Sequence, residues 1–123
     1  MRPFPLMLFA AGRGTRMGAL TADRPKPLIP VAGRPLIDHA LDLATAAGAH
    51  PVVVNLHYLG RQITGHLAGR EVLFSDESEA LLETGGGLRK ALPLLGPGPV
   101  LTLNSDAVWT GRNPLKQLAA AWE

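Results

Sequence analysis

The sequence predicts a layered α/β fold on a mostly parallel sheet. Three observations lead there: short apolar runs ending at glycine or polar residues, amphipathic stretches between them, and long loops leaving the carboxyl end of each run. Residues 4–11 form the first run, apolar throughout and closed by Gly12, as expected of a strand buried on both faces. Residues 12–34 are rich in Gly, Pro, Arg and Lys without a period, and a structureless loop of that length is expected to be functional. Pro35 suits the first turn of a helix; Leu36, Ile37, Ala40, Leu41, Leu43 and Ala44 give it an apolar face, and Gly48 supplies the stop. Residues 52–56, Val-Val-Val-Asn-Leu, are a second buried strand. Residues 59–67, with Ile63 and Leu67 four apart, are a short helix weakened by Gly65, and residues 71–75 are a third strand at an edge. An acidic loop, residues 76–83, leads through Thr84-Gly85-Gly86-Gly87 into a helix over residues 88–95 that Pro93 limits. Residues 99–104 form a fourth strand closed by Ser105-Asp106. Asn113-Pro114 has the form of a helix cap followed by proline, with residues 115–122 as the helix body. Strands alternating with helices imply right-handed crossovers and ligands beyond the carboxyl ends of the strands.

Composition excludes several classes of function. A chain of 123 residues that is 46% apolar and 18% charged is neither disordered nor fibrous, and its length suits one domain. The longest apolar stretch, residues 6–11, is far shorter than the ~18 residues of a membrane span. The start, Met1-Arg2-Pro3-Phe4-Pro5, is a poor signal peptide because prolines interrupt a short apolar run and Arg13 and Arg16 follow at once. With no cysteine there is no disulfide framework, thiolate zinc site or cysteine nucleophile, which fits a reducing cytoplasm. Residues 1–70 carry eight Lys/Arg against three Asp/Glu, while residues 71–123 carry four against seven, so an anionic ligand is expected near the first half. Nucleic acid is not the expected partner, because the basic residues form no dense stripe and the six aromatics are scattered.

The first loop opens Ala11-Gly12-Arg13-Gly14-Thr15-Arg16-Met17. Two glycines one residue apart let backbone N–H groups approach phosphate oxygens, and Arg13 and Arg16 add charged donors. The dinucleotide fingerprint would need glycine where Met17 stands, and the Walker loop would need Gly-Lys-Ser/Thr. Taken alone, a glycine-rich surface turn is an equal alternative. In the same loop, Pro25-Lys26-Pro27 presents an ammonium group from a stiffened, non-helical support, which suits a lysine meeting phosphate as a point charge; a solvated lysine is the plain alternative.

Together, Gly12-Arg13-Gly14-Thr15-Arg16-Met17, Pro25-Lys26-Pro27-Leu28-Ile29-Pro30-Val31 and Gly33-Arg34-Pro35-Leu36-Ile37 resemble the sugar-phosphate nucleotidyltransferases. The resemblance implies a three-layer, Rossmann-like sheet and transfer of a nucleotidyl group from a nucleoside triphosphate to a sugar 1-phosphate with release of pyrophosphate. It implies that the backbone of Ala11, Gly12, Arg13, Gly14 and Thr15 and the Arg16 side chain hold the triphosphate, with Lys26 at the reacting phosphate. Glu83-Thr84-Gly85-Gly86-Gly87 resembles the segment that reads the nucleobase, although on its own it could be a helix entry capped by Thr84. Asn104-Ser105-Asp106 resembles the strand-end motif in which the aspartate binds Mg²⁺ and Asn104 would touch substrate; Ser105 stands where that motif usually carries glycine. Alone, Asp106 could equally be a turn residue.

The spelling around Thr84 and the segment Asn55-Leu56-His57-Tyr58 are most similar to the branch that uses UTP and N-acetylmuramate 1-phosphate in peptidoglycan recycling, and guanylyltransferases acting on mannose or heptose 1-phosphate share much of it. The resemblance covers nearly the whole chain but only about the front half of the family pattern. Residues 1–123 are therefore expected to be the N-terminal, nucleotide-binding portion of a larger domain. A nucleotide-binding module without chemistry is the alternative.

Overall fold

A computed structural model describes residues 4–11, 23–77, 84–105 and 111–122. Strand β1 (Leu6–Phe9) is followed by a 3₁₀ turn (Lys26–Leu28), two short strands β2 (Pro30–Val31) and β3 (Arg34–Pro35), and helix α1 (Leu36–Ala47). Then come β4 (Val52–Leu56), α2 (Gly60–His66), β5 (Leu73–Asp76), α3 (Thr84–Leu95), β6 (Leu101–Asn104) and α4 (Pro114–Ala121). The main sheet has the order β5-β4-β1-β6, and every neighbouring pair is parallel, so all four carboxyl ends lie along one edge.

The two-residue period of the strands sorts the core into two layers. Leu6, Leu8, Val52, Val54, Leu56, Leu101 and Leu103 pack with Ile37, Ala40, Leu41 and Ala44 of α1, Ile63 of α2 and Leu115 of α4. The alternate residues Met7 and Val53 pack with Ala91 and Leu95 of α3. Leu6, Met7 and Leu8 are completely buried, as expected of a central strand covered on both faces. Among the described residues, three helices therefore cover one face and α3 covers the other.

Helix α1 follows its sequence closely, with an apolar stripe at three- and four-residue spacing and a stop at Gly48. Gly48 takes the left-handed conformation, φ 69°, and its N–H returns to the carbonyls of Ala44 and Thr45. At α4 the side chain of Asn113 accepts from the N–H groups of Leu115 (2.9 Å) and Lys116 (3.4 Å), the expected cap.

Other expectations are corrected. Within the long loop, Lys26–Leu28 form the 3₁₀ turn, and Pro30–Val31 pair with Arg34–Pro35 in the β2–β3 ladder. The ladder is closed by Ala32 (φ 53°) and Gly33 (φ 80°), two successive left-handed residues of the kind a tight hairpin needs, spelled here without the usual Asn-Gly. Pro27 enters the 3₁₀ turn at a position where no N–H is required, so flanking prolines exclude an α-helix there but not this turn. Pro35 ends β3 and precedes the helix. Strand β1 stops at Phe9, because the N–H groups of Ala10 and Ala11 turn to the Asn55 side chain. Strand β5 runs later than expected, through Asp76, and the Glu77 N–H still donates to the Leu56 carbonyl at 2.7 Å. Helix α3 starts at Thr84, so the glycines are helical, and it continues past Pro93 to bury Leu95. No helix of the described residues is long and apolar enough to cross a membrane.

Candidate functional site

The carboxyl edge of the sheet gathers the ends of β1, β4, β5 and β6 and the first turn of α3. Register places Asn104, the last residue of β6, beside Phe9, the last of β1. Asn104 is exposed; Ser105 is buried, and both its backbone N–H (3.2 Å) and its hydroxyl (2.8 Å) donate to the Phe9 carbonyl. The hydroxyl at a position read as a substitute for glycine thus ties β6 to the start of the first loop.

Beyond β1, the Ala10 and Ala11 N–H groups donate to Oδ1 of Asn55 at 2.6 and 3.0 Å. The Ala11 N–H, expected to face phosphate, is thus engaged within the chain. Asn55 Nδ2 in turn donates to Oε2 of Glu77 at 2.9 Å. Both side chains are buried, Asn55 at 4% and Glu77 at 1% exposure, so each needs its partners to offset desolvation. The Glu77 carbonyl lies 2.7 Å from Nδ1 of His57; a carbonyl only accepts, so this ring nitrogen carries the proton. This network escapes motif reading. Its one signal is an amide interrupting the apolar strand Val52-Val53-Val54-Asn55-Leu56, while Glu77 is indistinguishable from its acidic neighbours in sequence.

Lys26 opens the 3₁₀ turn between Pro25 and Pro27, both buried, and Ile29 behind it is buried as well. The turn is closed by the Leu28 N–H on the Pro25 carbonyl (3.0 Å) and the Ile29 N–H on the Lys26 carbonyl (3.0 Å). Gln62 of α2 donates to the Asp23 carbonyl at 2.8 Å and fixes the segment that leads into it. Farther along, Arg34 pairs through both terminal nitrogens with the Asp42 carboxylate on α1. The hydrogen bond and charge of Asp42 raise the Arg34 pKa, and the Arg34 hydrogen bond holds the Asp42 carboxyl below its usual range. Arg34 therefore anchors the hairpin to α1. His39 and His66 are also bound structurally, to the Val31 carbonyl and the Asp38 carboxylate, each at 2.7 Å.

At the start of α3, a Cβ on Gly87 would meet Glu77 Oε2 at 3.0 Å and Asn55 Nδ2 at 3.3 Å, closer than ordinary contact, so close packing favours glycine there. Gly85 and Gly86 are exposed, and a Cβ on Gly85 would meet nothing within 4 Å among the described residues. Helical glycine costs about 0.5–1 kcal/mol relative to alanine, a cost that intramolecular packing does not require at Gly85. Of the other candidates, Gly12, Arg13, Gly14, Thr15, Arg16, Glu83 and Asp106 lie outside the described residues, and Thr84 is described only as the first residue of α3. No group of three His, Cys, Asp or Glu side chains suited to a metal ion occurs among the described residues. The Asp106 carboxylate, which follows β6 in sequence, is a hard oxygen donor of the kind Mg²⁺ takes together with substrate phosphates. An apolar groove lined by Phe4, His50, Pro51, Leu95, Ala119 and Trp122 opens at the opposite edge, and none of the described candidate site residues lines it.

Comparison with known proteins matches a family model described as a MobA-like NTP transferase domain to residues 6–123. The chain is 47% identical over 126 residues to the N-acetylmuramate alpha-1-phosphate uridylyltransferase of Caulobacter vibrioides, covering 95% of this chain and 52% of that protein. It is 46% identical over 107 residues to the protein of the same name from Neisseria meningitidis, covering 83% and 46%. The chain thus spans about half the length of these curated relatives. A nucleotidyl transferase from Methanothermobacter shares its fold with a TM-score of 0.82 at 21% identity, covering 98% of this chain and 58% of that one. A UDP-glucose pyrophosphorylase complexed with UDP-glucose does so with a TM-score of 0.76 at 21% identity, covering 97% and 52%.

Proposed function

The chain belongs to the MobA-like NTP transferase domain family, and from that membership we propose that residues 1–123 are the nucleotide-binding portion of an enzyme that transfers UMP from UTP to N-acetylmuramate 1-phosphate, forming a nucleotide-sugar and pyrophosphate. The observation that carries it is the common edge: Ala10 and Ala11, where the chain leaves β1, the Gly85-Gly86 turn of α3 and Asn104 all stand at the carboxyl ends of one parallel sheet, where α/β sheets bind ligands. The identity to the two uridylyltransferases supports this base and sugar.

In the proposed reaction an oxygen of the sugar phosphate attacks the α-phosphorus of UTP in line. A new P–O bond forms as the bond to the bridging oxygen breaks, and pyrophosphate leaves with that electron pair. Positioning and charge neutralisation supply the rate enhancement, without a covalent enzyme intermediate. Backbone donors of Gly12, Arg13, Gly14 and Thr15, with Arg16, hold the triphosphate, and Ala11 sets where that loop begins. Lys26, on its proline-buttressed turn, offsets charge at the reacting phosphates. Glu83, Thr84, Gly85 and Gly86 read the base, and exposed glycines leave room for a base edge. Asn104 contacts substrate. Mg²⁺, held by Asp106 and phosphate oxygens, would further neutralise the phosphates. The setting we propose is the cytoplasm, in peptidoglycan recycling.

The test is titration of the chain with UTP, GTP and dTTP in the presence of Mg²⁺, alongside pyrophosphate release with N-acetylmuramate, mannose and heptose 1-phosphates. Preference for UTP and release with N-acetylmuramate 1-phosphate is the expected result. Preference for GTP would move the function to a guanylyltransferase, and binding without release from any sugar would make these residues a nucleotide-binding module.

A further inference from the structure

We infer that Asn55 and Glu77 are positioning residues that couple the two halves of the nucleotide site, the phosphate loop and the base-reading turn of α3; this rests on the nucleotidyl-transfer function proposed above. The Asn55 amide has only one workable orientation. Its oxygen faces two N–H donors, from Ala10 and Ala11, and its nitrogen faces the Glu77 carboxylate. A reversed amide would set donors against donors and an oxygen against a carboxylate.

Such a pair is a costly way to fill a strand. Buried amides and carboxylates stabilise little net, whereas leucine at residue 55 would continue the apolar run around it. What the pair adds is a junction. Asn55 holds the point where the chain leaves β1. Glu77 is fixed through its N–H on Leu56 (2.7 Å), its carbonyl on His57 (2.7 Å) and its carboxylate on Asn55 (2.9 Å). Gly87 lets the first turn of α3 close onto both side chains, with space for no Cβ at ordinary contact distance. A displacement of Ala10 and Ala11, from which the phosphate loop departs, is therefore a displacement of Asn55, then of Glu77, then of the glycine turn. A nucleoside triphosphate, with its phosphates on the loop and its base on the turn, spans the two supports this junction keeps at fixed separation. Neither side chain needs to touch the nucleotide.

The polarity of the Asn55–Glu77 bond provides the experiment. Binding of UTP with Mg²⁺ is measured at pH 8 by calorimetry for the wild-type chain, Asn55→Asp, Asn55→Asp/Glu77→Gln and Gly87→Ala, with circular dichroism of each. Asn55→Asp keeps the acceptor for Ala10 and Ala11 but sets two carboxylates together, and we expect affinity to fall about tenfold or more. In the double variant the amide introduced at residue 77 donates to the carboxylate introduced at residue 55. The bond re-forms with its direction reversed, and affinity is expected to return to within about threefold of wild type. Gly87→Ala removes no hydrogen-bonding group yet presses on both side chains, and should weaken binding about tenfold with an unchanged spectrum. A wild-type chain that binds UTP, with Asn55→Asp within threefold of it or no rescue in the double variant, overturns the inference and leaves the function standing. Should Asn55→Asp fail to fold, Gly87→Ala decides, and undiminished affinity in that variant sinks the coupling. A wild-type chain that binds none of UTP, GTP or dTTP overturns the function itself and the inference with it.

Discussion

Ser105 donates twice to one acceptor: its hydroxyl and its backbone N–H both meet the Phe9 carbonyl, at 2.8 and 3.2 Å. The end of β6 is thereby fastened to the end of β1, 96 residues earlier in the chain. Ser105→Ala retains the backbone bond and loses the other, so it should lower unfolding stability by about 1 kcal/mol. Urea denaturation checks this; a loss below measurement error would mean that the hydroxyl bond carries no net stability.

Lys26 is expected to separate activity from stability. Pro25, Pro27 and Ile29 bury the support on which it rides, and none of them is altered in Lys26→Ala. Pyrophosphate release by an enzyme carrying this change should fall about 100-fold or more, while the unfolding free energy changes by less than about 1 kcal/mol. Normal turnover in the variant would remove Lys26 from the reaction.

The Arg34–Asp42 pair has a definite pH dependence. The Asp42 carboxyl is held below its usual value near 3.8, chiefly by the hydrogen bond from Arg34. A depressed carboxyl contributes stability that is present above its unfolded-state pKa and is lost as pH falls through its folded-state pKa. Asp42→Asn should therefore be less stable than wild type at pH 7, by a small margin because both partners are exposed, and the margin should close as the solution is acidified below pH ~3.8. Equal stability at pH 7 would show the pair to be energetically neutral.

Gly65 offers the opposite sign. It sits inside α2, is exposed, has no left-handed φ, and a Cβ there would meet nothing within 4 Å among the described residues. Gly65→Ala should raise stability by about 0.5–1 kcal/mol through reduced freedom of the unfolded chain and better helix propensity. Thermal unfolding would show a higher midpoint; a lower one would mean that α2 does not keep this geometry.

Where local chemistry decides structure, the sequence was an adequate guide. Gly48 closes α1, Asn113 caps α4, and the apolar run around Leu8 is buried on both faces, each for a reason visible within a few residues. Expectation failed where distant residues decide. Three glycines and a proline weaken the helical signal of α3, yet it begins at Thr84 and runs to Leu95 because Ala91 and Leu95 bury against the sheet. Likewise Asn55 lies in a strand foreseen at its observed bounds, but its role depends on Ala10, 45 residues before it, and Glu77, 22 after it. Motifs are local, so they pointed to the segments expected to meet phosphate and base and passed over the side chains of Asn55 and Glu77.

The uneven layering has a dynamic consequence. With α1, α2 and α4 on one face and α3 alone on the other, α3 has no neighbouring helix among the described residues to share its burial. Its first turn also holds glycines whose propensity favours fraying. Its backbone amides should then exchange with solvent deuterium before those of α1, through local opening rather than global unfolding. A nucleotide seated on that turn would act as the missing neighbour, so slowing of α3 exchange on adding UTP would report binding in an assay that requires no turnover.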